Sequence, residues 1–422
     1  MEERWVLHCD CNSFYASVEL LAHPELRQKC VAVCGDPESR HGIILAKNEP
    51  AKKLGVKTAE TIWQAKRKCP DLVLLPPHRE LYRKYYRIIN TIYQRYTDRV
   101  EPFSIDESWL DVTGSWQLFE KSPAALADRL RAEVKAATGL TISVGVSFNK
   151  VFAKLGSDYK KPDATTLISR QNYKDILWPL PVGQMLFVGR SAEEKLQGLG
   201  VRTIGGLAAA EPAMLQSALG KLGPEIGRYA RGEDAEPVRR WGEAEPVKSV
   251  GNGMTFKRNL SGPADIRHAL TVLADEVAAR LRRHSVWAGA VQVTVRDTQL
   301  KTITRQKQLP QATHLARDLA EGCWQLMQAN WEMQKPIRML TVTALSITTE
   351  PFAVQQSFFE DAPRTDPKRE KLEQSLDAIR QKYGRAAIGA GSILKNDLGL
   401  GELVIGSPGE DEDLDEKVKG PL

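Results

Sequence analysis

At 422 residues, with 42% hydrophobic and 27% charged side chains, the chain has the composition of a folded multidomain protein, which excludes a fibrous or largely disordered one. No apolar run approaches the roughly 20 residues needed to cross a bilayer, and Met1-Glu2-Glu3-Arg4 lacks a signal-peptide pattern, so a cytoplasmic protein without membrane attachment is expected. The net charge of +6 is unevenly spread: Arg239 to Lys307 holds 13 Lys and Arg against 6 Asp and Glu, as a polyanion-binding surface would. By contrast, Glu410-Asp411-Glu412-Asp413-Leu414-Asp415-Glu416 reads as a flexible acidic tail.

Trp5-Val6-Leu7-His8-Cys9 is a short β-prone run that ends at Asp10. Residues 11 to 78 carry several short helical patterns and read as an inserted subdomain. Arg99 to Val112 reads as two strands joined by a tight turn around Asp106-Glu107. Ser122-Pro123 supplies an N-cap with proline at the first helical position, and Leu126, Leu130 and Val134 follow at i, i+4, i+8, an amphipathic helix. Leu140 to Val146 is a second buried strand. Strand, hairpin, helix and strand together predict a small mixed sheet backed by helices. From 170 to 238 the pattern is helical with repeated glycines, and Leu199-Gly200-Val201 before Thr203 to Leu207 suits a helix-hairpin-helix, whose turn amides can face a phosphate. Arg239 to Pro246 reads as a linker, after which strands are expected at 288–295 and 338–345 and helices at 264–284 and 315–329. The six cysteines, Cys9, Cys11, Cys30, Cys34, Cys69 and Cys323, form no disulfide framework and lack paired C-x-x-C knuckles, so buried free thiols are favoured over a zinc site.

Asp10 closes one strand and Asp106-Glu107 occupy a turn on a neighbouring pair, so three carboxylates can meet at one sheet edge. Such a cluster is costly unless cations occupy it, and carboxylate oxygens are the ligands Mg2+ prefers. Asp-Glu alone would pass for an acidic turn. The wider sequence changes that reading. Asp10-Cys11-Asn12-Ser13-Phe14-Tyr15-Ala16-Ser17-Val18-Glu19, Ser104-Ile105-Asp106-Glu107-Ser108-Trp109-Leu110-Asp111 and Ser147-Phe148-Asn149-Lys150-Val151-Phe152-Ala153-Lys154 resemble, in order and separation, the motifs of Y-family (translesion) DNA polymerases. The likeness runs through Lys161-Pro162 and Lys248 to Asn259, covers roughly residues 4 to 350, and lies nearest the bacterial polymerase IV branch, with polymerase V-like features at Lys47 to Lys52.

The resemblance implies an α+β right-hand polymerase: a ferredoxin-like palm (1–10 and 79–168), small fingers (11–78), a helical thumb (169–239), a linker (240–247), a mixed α/β little finger that binds DNA (248–350) and a C-terminal extension (351–422). It implies primer extension with deoxynucleoside triphosphates by two Mg2+ ions, held by Asp10, Asp106, Glu107 and the backbone carbonyl of Cys11. Phe14 and Tyr15 would lie beneath the nucleotide sugar, with Tyr15 excluding ribose, and Lys161 would bind the triphosphate. Glu49 and Lys52 stand where polymerase IV usually has tyrosine and arginine, so Lys47 or Lys52 is expected to supply phosphate-binding charge. Phe187 stands where the family often has glycine. Gln355-Gln356-Ser357-Phe358-Phe359 is similar to the peptide by which bacterial polymerases dock on a sliding clamp, with Gln355, Phe358 and Phe359 as anchors. A monomer is expected. Two other readings share parts of this pattern: a nucleotide cyclase on a similar palm, and a catalytically inert DNA-binding scaffold.

Overall fold

The computed structural model describes residues 3–37, 42–243, 245–350, 367–389 and 397–401. The chain divides after Glu243 into two compact units. In the first lie β1 (Val6–Cys11), β2 (Val31–Cys34), β3 (Ile44–Lys47), β4 (Val73–Leu75), β5 (Val100–Pro102), β6 (Glu107–Asp111), β7 (Ile142–Ser147) and β8 (Thr165–Ile168). A five-stranded sheet runs β5-β6-β1-β7-β8, antiparallel except between β7 and β8. Every residue of β1 and β7 is buried, as expected of central strands covered on both faces.

Period-two alternation decides what each face of that sheet meets. Leu7, Cys9, Cys11, Ile142, Val144 and Val146 pack against the helices Arg79–Gln94 and Pro123–Thr138, with Tyr82, Tyr93, Leu126 and Leu130 fully or almost fully buried there. The second helix begins as its sequence predicts, with Ser122 Oγ accepting from the Ala125 amide at 3.1 Å. The other face receives the helix Lys150–Tyr159, capped by Asn149, whose Oδ1 accepts from the Phe152 amide at 2.7 Å. This helix lies so close to β7 that a Cβ on Gly145 would fall 1.9 Å from the Ala153 carbonyl oxygen.

Residues 31–75 do more than form short helices, since β2, β3 and β4 make a three-stranded sheet in the order β3-β2-β4 around a core of Ala32, Cys34, Ile44, Ala51 and Ala65. Strands of three or four residues are too short for alternation to show in sequence. From Tyr173 to Ala230 five helices surround Leu177, Leu196, Ile204, Leu207, Leu215 and Ile226. Helix Arg190–Gly198 and helix Ile204–Ala209 are joined through Gly200 at φ +83°, the expected helix-hairpin-helix. Phe187 has φ +70°, a left-handed conformation that favours glycine, which gives a physical meaning to the glycine expected there.

The second unit is a four-stranded antiparallel sheet, β11-β10-β12-β9, made of β9 (Val250–Leu260), β10 (Trp287–Asp297), β11 (Thr302–Thr313) and β12 (Ile337–Thr348). Helices Gly262–Arg283 and Ala316–Asn330 share its core. The unit does not stop at Thr348: Leu398 and Leu400 are buried in the same core, and the Lys257 amide donates to the Leu398 carbonyl at 3.1 Å. Helix Pro367–Tyr383 docks by charge, with Asp377 2.6 Å from Arg282, Asp275 2.8 Å from Arg380 and Glu373 also on Arg282. Part of the basic excess is therefore neutralised within the unit, for Arg258 likewise pairs with Asp265 and Asp397.

Candidate active site

The alternation that sends Leu7, Cys9 and Cys11 to one core sends His8 and Asp10 to the face covered by helix Lys150–Tyr159. On the neighbouring strands Asp10 stands directly opposite Glu107 on β6 and Ser143 on β7. The Cys11 amide donates to the Asp106 carbonyl at 3.0 Å, which ties the hairpin turn to the strand end. Ser104 Oγ donates to Asp106 Oδ1 at 2.6 Å. Asp10, Asp106 and Glu107 are thus brought to one end of the sheet.

What balances their charge in this arrangement is a pair of lysines. Lys154 Nζ lies 3.1 Å from Asp10 Oδ2 and 2.6 Å from Glu107 Oε1; Lys161 Nζ lies 2.6 Å from the same Asp10 Oδ2 and 2.7 Å from Asp158. Burial opposes ionisation of Asp10, but the Glu107 hydrogen bond and the two ammoniums outweigh it and hold its carboxyl down at about 2. Glu107 moves the other way: burial, then the bond to Asp10 and its charge, push it up to about 7. The pair therefore gives up one proton readily and retains the second on Glu107. Burial also raises Asp106. Burial opposes the charge on Lys154, yet Asp10, Asp158 and Glu107 raise its pKa.

Among the described residues no three His, Cys, Asp or Glu side chains already form a metal cage, because Asp10 and Glu107 are turned to the lysines and Asp106 to Ser104. The donor set nonetheless fits a hard divalent cation: it is made of carboxylate oxygens alone, partly buried and crowded enough to raise the Glu107 pKa, a strain that a cation would relieve.

Three residues that sequence reasoning assigned no role complete the site. Lys154 appeared only as a letter in a motif, and Asp158 follows it by one helical turn. His8, fully buried, sits 2.8 Å from Ser157 Oγ through Nδ1. The Ser157 hydroxyl donates to the Lys154 carbonyl at 2.8 Å, so His8 Nδ1–H is the donor to Ser157, and its unprotonated Nε2 faces Glu107 Oε2 at 3.9 Å. Burial, then Lys154, lowers its pKa well below that of a free imidazole. A strand residue two positions before Asp10 was the available signal, since period two puts both on one face.

Ser13, at φ +51°, turns the chain out of β1 into helix Phe14–Ala22. Ser143 Oγ donates to Asn12 Oδ1 at 2.8 Å and braces that turn. Tyr15 is half-buried, stacks on Tyr82 with centroids 4.0 Å apart and planes 11° apart, and has its phenol pKa raised by burial and then by the Asp106 charge, which places it beside the carboxylates. Phe14 is only 3% exposed and packs in the sheet core, so it supports Tyr15 from behind. Lys52 lies elsewhere: its Nζ is 3.4 Å from Glu49 on the same short helix, and Lys47 Nζ donates to Thr58 at 2.8 Å. The structure joins Lys52 to Glu49 and does not bring either into the carboxylate cluster. Gln355, Phe358 and Phe359 lie outside the described residues, as does the acidic tail.

The impB/mucB/samB family model matches residues 9–158, and the model of that family's C-terminal domain matches 247–358. DNA polymerase IV of Acetivibrio thermocellus is 43% identical over 404 residues, covering 95% of this chain and 100% of the relative. DNA polymerase IV 1 of Bacillus subtilis is 37% identical, covering 94% of each. Among solved structures a Y-family DNA polymerase chimera superposes with a TM-score of 0.71 at 22% identity, over 82% of this chain and 100% of that one, which shows the shared fold. Identity of this size over almost the whole length does not arise between unrelated families, and the chain belongs to the impB/mucB/samB family, the Y-family DNA polymerases.

Proposed function

We propose that this DNA polymerase extends a primer 3′-hydroxyl with deoxynucleoside triphosphates in translesion synthesis, using two Mg2+ ions held by Asp10, Asp106, Glu107 and the Cys11 carbonyl. The observation that carries this reading is the register of β1 against β6, which sets Asp10 opposite Glu107 with Asp106 bonded to the strand end. When bound, the ions activate the attacking hydroxyl and neutralise the leaving pyrophosphate. The protein's own side chains hold the reactants. Lys161, part-exposed beside Asp10, offers its ammonium to the triphosphate. Tyr15, fixed by its stack on Tyr82, fills the space a ribose 2′-hydroxyl would need. Lys52 contributes more distant positive charge, moderated by Glu49.

The five-stranded sheet and its helices serve as palm, residues 11–78 as fingers, 169–239 as thumb and the second unit as little finger. In that last unit Arg305 on β11 donates to Asn330 and to the Thr304 carbonyl, and Lys307 donates to Gln325, all neutral acceptors, which suits both cations to grip nucleic-acid backbone while base pairing supplies the sequence. No helix among the described residues is long and apolar enough to cross a membrane. A cytoplasmic monomer docked on a sliding clamp through Gln355, Phe358 and Phe359 completes the reading. Family membership speaks against both the cyclase and the inert scaffold. The test is primer extension on undamaged and damaged templates: Glu107→Gln and Asp106→Asn should each lose about a thousand-fold or more in rate, the several kcal/mol that a metal ligand supplies, while retaining primer-template binding. Substantial extension by either variant would refute the assignment.

A further inference from the structure

An ammonium holds the oxygens that a divalent cation would use. Lys154 Nζ bridges Asp10 Oδ2 and Glu107 Oε1, the two carboxylates that face each other across β1 and β6, at 3.1 and 2.6 Å. This is a built contact. The lysine side chain is 12% exposed, the helix that carries it is capped by Asn149, and its carbonyl takes the Ser157 hydroxyl. An alternative partner stands one turn along, Asp158 Oδ2 at 3.4 Å, with its side chain 48% exposed. Nothing in the triphosphate-binding role given to Lys161 requires a second lysine between the carboxylates.

Resting on the reading of Asp10 and Glu107 as metal ligands, we infer that Lys154 is a built-in competitor for the divalent cation, released to Asp158 when the cation binds, and that it sets the metal affinity of the enzyme. An ammonium seated between these two carboxylates repels a divalent cation brought to the same oxygens. Without metal, the lysine relieves carboxylate repulsion and keeps the strand end folded. With metal, its displacement opposes loading, so the cation is taken up firmly only when nucleotide phosphates add further ligands. Metal loading is thereby coupled to nucleotide binding by one side chain of this chain.

The probe is Mn2+ alone, titrated into the full-length protein without DNA or nucleotide, with free Mn2+ read by electron paramagnetic resonance. Lys154→Met should bind at least about ten-fold tighter than wild type, whereas Lys160→Met, which removes an equal charge from the same segment, should stay within about two-fold, because Coulomb effects through solvent are weak beside direct contact. Glu107→Gln should lose the site. Equal or weaker binding by Lys154→Met, with the site still lost in Glu107→Gln, would overturn the competition and leave the metal ligands standing. Unchanged binding by Glu107→Gln would instead overturn the ligand assignment and the inference with it. If Lys154→Met does not fold, the wild-type protein decides: acetylation of Lys154, quantified by mass spectrometry, should quicken several-fold at saturating Mn2+ while Lys160 is unaffected, and a Lys154 rate indifferent to Mn2+ would refute the release.

Discussion

Gly145 is where the fold and the site can be disturbed by a single methyl group. It lies in the middle of β7, opposite His8, and helix Lys150–Tyr159 crosses directly over it. An added Cβ would stand 1.9 Å from the Ala153 carbonyl oxygen, 2.4 Å from the Ser157 amide nitrogen and 2.8 Å from the Gly156 carbonyl carbon, all backbone atoms that cannot rotate away. Ordinary contact begins at 3.4 Å, so the helix must retreat by the difference from 1.9 Å, about 1.5 Å. Overpacking generally costs about 1–3 kcal/mol, and here the upper end or more is expected because no side chain can give way. The retreat carries Lys154 and Ser157 with it, and misplacement by about 1 Å can cost about a hundred-fold in rate. Gly145→Ala should therefore lower the urea midpoint of the first unit by the equivalent of about 3 kcal/mol and cut primer extension by about a hundred-fold in the fraction that remains folded. A variant with wild-type midpoint and wild-type extension would refute the close approach of helix and strand.

Tyr15→Ala should raise ribonucleotide incorporation, read as the ratio of kcat/KM for a deoxynucleotide to that for its ribonucleotide. Loss of the Tyr82 stack should lower stability by about 1 kcal/mol beyond the lost burial, and an unchanged ratio in a folded variant would remove Tyr15 from sugar selection. Glu49→Gln frees Lys52 from its ion pair and should lower the nucleotide KM by no more than about five-fold, since an exposed pair is worth at most about 1 kcal/mol; a raised KM would exclude a phosphate role for this segment. Joint replacement of Leu398 and Leu400 by alanine should destabilise the second unit by about 4 kcal/mol or more, because both are buried in its core. Unfolding followed by calorimetry checks this, and an unaltered second-unit transition would show the C-terminal strap to be dispensable.

The central strands, the Ser122-capped helix, the Asp106-Glu107 hairpin and the helix-hairpin-helix were legible because each rests on local chemistry: apolar runs, caps and glycine turns. What was missed depends on contacts distant in sequence. β11, Thr302-Ile303-Thr304-Arg305-Gln306-Lys307-Gln308-Leu309-Pro310-Gln311-Ala312-Thr313, has almost no apolar alternation because only Thr313 is buried, and it is a strand because β10 supplies its hydrogen-bonding partner. Helix Pro367–Tyr383 carries Leu372, Leu376 and Ile379 at i, i+4 and i+7, yet none of them is buried; Glu373 and Asp377 dock it on Arg282, and no apolar period announces that pairing. The same pairings explain why the count of basic residues overstated the free positive surface.

The helix Lys150–Tyr159 shows most clearly why the site was only partly readable. Lys150, Lys154 and Ser157 fall at i, i+4 and i+7, the spacing of a helix face turned to the core. Periodicity analysis assigns two lysines on such a face to solvent. In the fold both side chains are almost wholly covered, at 5% and 12% exposure, because the sheet presents carboxylates to them: Lys150 binds both oxygens of buried Glu101 at 2.9 Å, and Lys154 bridges Asp10 and Glu107. The acids that make the lysines buriable lie on strands up to 144 residues away in sequence. Each partner alone breaks the rule that charges stay outside, and only together do they satisfy it. Sequence displays the two halves separately, as an acidic turn and as a basic helix. Their meeting is what lets two lysines and three carboxylates be covered together at one end of the sheet.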